Sequence, residues 1–184
     1  MDRLEQYRPT STGLLIQRAL PQARQHLFQR KGPSVQLAHV RDGSRETWIL
    51  HTRGESMPTG ARAANVQALL LDGSWQAVGV MLPQIAGWGR RVRLPTEGMV
   101  SRYWLRDAGA AGRLSTAEAL IVLLEGLGEV EAAASLRVQF ELHVFAGLLA
   151  RGKRADAQRF LEQSPITSLQ PALIARLLRN RYSE

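Results

Sequence analysis

Asp72 closes a run of four apolar residues, Ala68–Leu71, and directly precedes Gly73. A run of that kind suits a strand buried on both faces of a parallel sheet. Open α/β sheets bind their ligands at the carboxyl ends of such strands. A carboxylate flanked there by Leu69–Leu71 is desolvated and poised to act as a base. The same Asp-Gly pair also serves as a turn or as the cap of a following helix. Two further segments carry binding chemistry. Ser115-Thr116-Ala117-Glu118 reads as a capping box, and the free N–H groups of that helix start suit a carboxylate ligand. Ser101-Arg102-Tyr103-Trp104-Leu105-Arg106 mixes cations with aromatics, as stacking and phosphate sites do. It reads equally as an edge strand with Tyr103 and Leu105 packed inward.

The elements that must position these residues follow from hydrophobic spacing. Leu14, Leu15, Leu20 and Leu27 predict a helix over Thr12–Phe28, interrupted by Pro21 and preceded by a hydroxyl-rich loop with Ser11 or Thr12 as N-cap. Gly32-Pro33 breaks the chain, Val35–Val40 and Thr47–His51 read as strands, and Arg41–Ser44 reads as the turn between them. After the polar stretch Thr52–Ala61 come a helix at Ala61–Val66, a strand at Ala68–Leu71, a helix at Trp75–Gln84 and a turn at Ala86–Gly89. Arg90–Leu94 alternates basic and apolar residues up to Pro95, which predicts a strand with Arg90 and Arg91 near an accessible surface. Strand, helix and strand in this order make the crossover unit of an α/β domain.

From Ser115 the pattern is helical. Thr116–Leu127 carries Ala119, Leu120, Leu123 and Leu124 on one side, with Glu118 and Glu125 on the other. Glu131–Arg151 keeps Leu136, Phe140 and Val144 in register and ends at Gly152. Two shorter helices, Ala155–Leu161 and Pro171–Arg181, read as an accessory tail outside the core.

Composition bounds the chemistry. The 184 residues, 45% hydrophobic and 22% charged, fit one domain with an appended helical piece. The absence of cysteine excludes disulfides, thiolate zinc sites, iron–sulfur clusters and cysteine nucleophiles. His26, His39, His51 and His143 share no ligand spacing, so no metal is expected. All but Lys31 and Lys153 of the 24 basic residues are Arg, and the net charge is +8. A guanidinium fork binds phosphate bidentately and stacks on bases, so RNA is the first partner to consider. No signal peptide is expected, and apolar runs such as Ala119–Leu124 are too short to span a bilayer, so the expected location is the cytoplasm.

Taken in order, the segments resemble a known family. Asp72-Gly73-Ser74-Trp75, Leu94-Pro95, Ser101-x-Tyr103-x-Leu105-Arg106 and Ser115-Thr116-Ala117-Glu118-Ala119 are similar to the motifs of the DTW domain family. Arg8-Pro9-Thr10-Ser11-Thr12-Gly13 resembles that family's upstream motif, with Ser11 where the motif has Asn. Gly128–Ala134 resembles the stretch that follows in bacterial members. The likeness runs from about Glu5 to Arg151.

The resemblance implies a SPOUT-like α/β fold, a parallel sheet with helices on both faces and a C-terminal trefoil knot, over residues 1–152, with a helical extension at 153–184. It implies transfer of the 3-amino-3-carboxypropyl group of S-adenosylmethionine to a uridine base nitrogen in tRNA, releasing methylthioadenosine. On that basis Asp72 is the candidate base or orienting group. Thr12, Ser74, Ser115 and Thr116 would hold the cofactor, with Leu71, Leu94 and Tyr103 as its apolar wall. Arg90, Arg91 and Arg102 would meet tRNA phosphates, with Arg53 and Arg62 as further candidates. Two other readings remain open here: an RNA-binding module without catalysis, and the same transfer to ribosomal RNA. The cysteine-rich zinc segment of many relatives has no counterpart in this sequence, and oligomeric state is left open.

Overall fold

The computed structural model describes residues 1–3, 7–28, 40, 43–106 and 114–179. Gly32-Pro33, Arg41-Asp42 and all of the expected Val35–Val40 strand except Val40 lie outside them. The first helix, α1, spans only Gly13–Ala19. It stops at Leu20 because Pro21 follows: proline has no N–H to donate, and its ring pushes the preceding residue out of the helical region.

Three parallel strands form the sheet in the order β2-β1-β3. Strand β1 covers Glu46–Ser56, well beyond the expected Thr47–His51. Its first half is buried and its second half is solvent-facing, so apolar pattern identified only the half that enters the core. The register against β3 (Arg90–Arg93) shifts between Leu50 and Glu55, both of which pair with Val92. A Cβ at Gly54 would strike the Arg91–Val92 backbone, so this irregularity depends on glycine.

Strand β2 is Val66–Leu69, two residues earlier than expected, and the expected helix before it is a single 3₁₀ turn at Ala63–Asn65. Among the described strands β2 is at one end of the order, and after Val66 it is only half-buried. Leu70, Leu71 and Asp72 thus leave the sheet before helix α2 (Trp75–Gln84) begins. The run β2-α2-β3 is the crossover that the alternating pattern predicts, and β1 lies between its two strands.

The second half is helical: α3 (Thr116–Gly126), α4 (Val130–Ala150), α5 (Arg154–Glu162), α6 (Ile166–Leu169) and α7 (Pro171–Arg179). Gly128, at a φ of 81° that side chains resist, turns the chain from α3 into α4. Leu136, Phe140, Val144, Phe145 and Leu148 on α4 are buried, and with Trp48 and Val92 from the sheet they belong to one core. The expectation of an accessory tail is corrected here. Ala157, Phe160, Ile166 and Ile174 join the same core, and Phe160 is fully buried. The tail looked peripheral because its helices are short: each buries only one or two large apolar residues, while Leu169 and Leu178 stay exposed.

Candidate active site

A cleft of about 480 Å³ opens where the sheet ends meet the start of α3. That volume is in the range of small-molecule sites, roughly 300–1,000 Å³. Asp72, Thr12, Leu71, Ser74, Leu94, Tyr103, Ser115 and Thr116 all line it. Residues separated by more than a hundred positions of sequence therefore share one wall.

The joints between these segments are polar. Thr116 Oγ1 donates to Asp72 Oδ1 at 2.5 Å, and Ser11 Oγ reaches Asp72 Oδ2 at 3.5 Å. Thr12 Oγ1 accepts from the Ala117 backbone N–H at 3.3 Å, so this hydroxyl serves the start of α3 and makes no cap bond to its own helix. Gly13 has to be glycine, since a Cβ there would occupy the space of the Asp72 carboxylate. Asp72 itself is only 8% exposed. Its hydrogen-bond partners include the Thr116 and Ser11 hydroxyls.

Two capping interactions shape the rim. Ser74 accepts from the Ala77 N–H at 3.2 Å and caps α2. Ser115 and Glu118 form the reciprocal capping box on α3. Glu118, expected on the polar side of its helix, is instead buried. Its carboxylate accepts from Ser101 Oγ at 2.9 and 3.1 Å, from the Arg102 N–H at 2.7 Å and from the Ser115 N–H at 2.8 Å. One carboxylate thus ties the 101–103 loop to the helix start. Tyr103 and Leu105 do pack inward, but from a loop rather than an edge strand. The Tyr103 hydroxyl donates to the Thr10 carbonyl, which joins this loop to the hydroxyl-rich one.

The arginines divide differently from expectation. Arg102 turns away from the cleft and donates through Nε and one terminal nitrogen to Glu141, at 2.6 and 2.7 Å. It also lies over the Phe160 ring, 4.3 Å from its centroid. The Ser-Arg-Tyr spacing suggested a phosphate contact, but a buried Glu141 needs a cation and Arg102 supplies it. Arg90 is folded against Trp48, near Glu46 at 3.1 Å and Glu55 at 3.6 Å. Arg91 is exposed, as expected, and Arg53 and Arg62 are also exposed, outside the cleft lining.

Sequence reasoning did not assign Arg8, His51, Arg93 or Arg106, which also line the cleft. Arg8 and Arg106 were visible inside quoted motifs, and Arg93 follows from the Arg91-Val92-Arg93 alternation. His51 lacked any signal beyond its strand. Its Nδ1 accepts from the Arg53 N–H at 3.1 Å. Burial, reinforced by the guanidinium groups of Arg91 and Arg53, keeps the imidazole pKa below its ordinary value and favours the neutral ring. Among the described residues, no three His, Asp or Glu side chains converge as a metal site requires, and no helix is long and apolar enough to cross a membrane.

The family model of the DTW domain matches residues 1–146, which includes every motif segment around the cleft. No curated protein and no solved structure matches the chain. With four-fifths of its length covered, the chain belongs to the DTW domain family.

Proposed function

We propose that this protein transfers the 3-amino-3-carboxypropyl group of S-adenosylmethionine to a uridine base nitrogen in tRNA. The observation that carries this reading is the junction at Asp72. Its carboxylate is held by hydroxyls from two other motif segments, Ser11 and Thr116, at the wall of a cleft of small-molecule size. The DTW family is associated with RNA modification and group transfer, and the reading carries with it a SPOUT-like fold, for which a three-stranded parallel sheet flanked by helices is a suitable frame.

The residues present suit the donor. Leu71, Leu94 and Leu114 offer an apolar wall for a methyl group and a nucleoside, while Ser115, Arg106 and the backbone N–H of Thr116 offer donors for its amino-acid end. When bound, the sulfonium supplies an electrophilic carbon and leaves as a neutral thioether. The chain decides which of the three sulfonium carbons reacts by posing it. Asp72 takes the proton of the uracil imide, or orients that nitrogen as it is lost, while the new carbon–nitrogen bond forms. Thr116 keeps the carboxylate aimed. Tyr103 closes the far wall and, with the leucines, limits water at the reacting atoms. Work on tRNA goes with a cytoplasmic location.

Nucleoside mass spectrometry tests the proposal. Uridine in tRNA treated with protein and S-adenosylmethionine should gain the mass of the aminocarboxypropyl group; a methylated base, or modified ribosomal RNA with tRNA untouched, would replace it.

A further inference from the structure

We propose that Arg53, Arg91 and Arg93, along the β1–β3 wall, form the track that holds the RNA backbone as the target base enters the cleft. This deepens the RNA reading above and rests on it. Arg91 and Arg93 are two residues apart on β3, so their side chains leave the same face of the strand, opposite the buried Val92. Both are exposed, as is Arg53 on the outer half of β1. Arg93 lines the cleft itself, and its guanidinium is steadied by a bond to Ser56 Oγ at 3.0 Å.

The pairing of charges separates this track from the other cations nearby. The acidic residues of the two strands, Glu46 and Glu55, both reach Arg90. Arg102 is consumed by Glu141. Among the described residues no carboxylate is within ion-pair distance of Arg53, Arg91 or Arg93. Three guanidinium groups on one wall without acidic partners make a positive strip, and His51 on β1, whose pKa burial lowers first, is lowered further by two of them, Arg91 and Arg53. A bidentate fork matches a phosphate oxygen pair, and phosphate contacts fix register without reading sequence. The strip leads to the cleft that holds Asp72, so a backbone bound along it delivers a base to that carboxylate.

The salt dependence of tRNA binding tests the track. Each phosphate contact with a single strand contributes about 0.7 to the slope of log affinity against log salt. The combined Arg53→Gln, Arg91→Gln and Arg93→Gln variant should lose about 2 units of that slope, with unchanged melting temperature and unchanged S-adenosylmethionine affinity by calorimetry. Arg90→Gln should leave the slope unaltered. A triple variant with the slope of the unaltered protein overturns the track alone. A triple variant that loses donor affinity while keeping its tRNA slope assigns these cations to the donor carboxylate and also overturns it. If the unaltered protein shows no salt-sensitive tRNA binding, both the track and the RNA reading fall.

Discussion

The Thr116 hydroxyl donates to the Asp72 carboxylate at 2.5 Å, joining two segments 44 residues apart at the wall of the cleft. If that contact aims the carboxylate, removing the hydroxyl should disturb turnover more than binding. Thr116→Val is expected to lower the rate of transfer on the order of 100-fold, as a misplacement of about 1 Å does, with donor affinity changed only a few-fold. Thr116→Ser should restore most of the rate. Single-turnover kinetics beside calorimetry reads both quantities, and equal losses in each would make Thr116 a binding residue instead.

Gly13 packs its bare Cα against that same carboxylate. Gly13→Ala should therefore displace Asp72 and abolish most transfer, with a stability cost of about 1–3 kcal/mol from overpacking. Urea unfolding and the transfer assay check it together. Full activity in this variant would mean that the carboxylate has room to move and that its present placement is not required.

Arg102 and Glu141 form a buried pair, with side chains 24% and 2% exposed. Arg102→Met leaves the Glu141 charge without its partner and should cost about 3–5 kcal/mol. Arg102→Met combined with Glu141→Leu should recover much of that loss, since replacing both members removes the stranded charge. A surface phosphate contact would behave oppositely: the single variant would keep its stability and lose RNA affinity.

These outcomes separate what could be read from the sequence from what could not. Residue type and order located the cleft wall, because a hydroxyl loop, an Asp after a strand and a capping box each have a local signature. The β2-α2-β3 crossover and the start of α3 were legible for the same reason. The fate of individual charges was not. Arg102 and Glu118 sit in sequence like surface residues, and only tertiary neighbours, Glu141 on α4 and Ser101 in a distant loop, draw them inside. The outer half of β1 was missed because its strand character comes from pairing with β3 across an irregular register rather than from apolar alternation. Phe160 and Ile166 were assigned to a tail because short helices show little periodicity.

His143 on α4 is partly buried, its Nε2 has no hydrogen-bond partner, and Arg18 and Arg151 add to the burial in holding its pKa below the ordinary 6.5. The unfolded chain therefore binds the proton first as pH falls. The stability associated with a neutral His143 is full above about pH 6.5 and declines below it. His51 has the same sign but is more exposed, so its share is smaller. Melting temperatures at pH 7.5 and 5.0 should differ less for His143→Gln than for the unaltered protein. Identical differences would remove His143 as the cause.

If Asp72, clasped by Thr116 and Ser11, promotes transfer of the carboxypropyl group to RNA, both the origin of the label on RNA and the rate of an Asp72 variant must follow from it. Parallel incubations of tRNA with S-adenosylmethionine labelled in the carboxypropyl chain or in the methyl group test it most directly, for the unaltered protein and for Asp72→Asn. RNA label is expected from the carboxypropyl chain only, with equimolar methylthioadenosine, and the Asp72→Asn rate should be at least about 100-fold lower, as loss of a general base entails. RNA label from the methyl group, or an Asp72→Asn protein that transfers at the full rate, would contradict it.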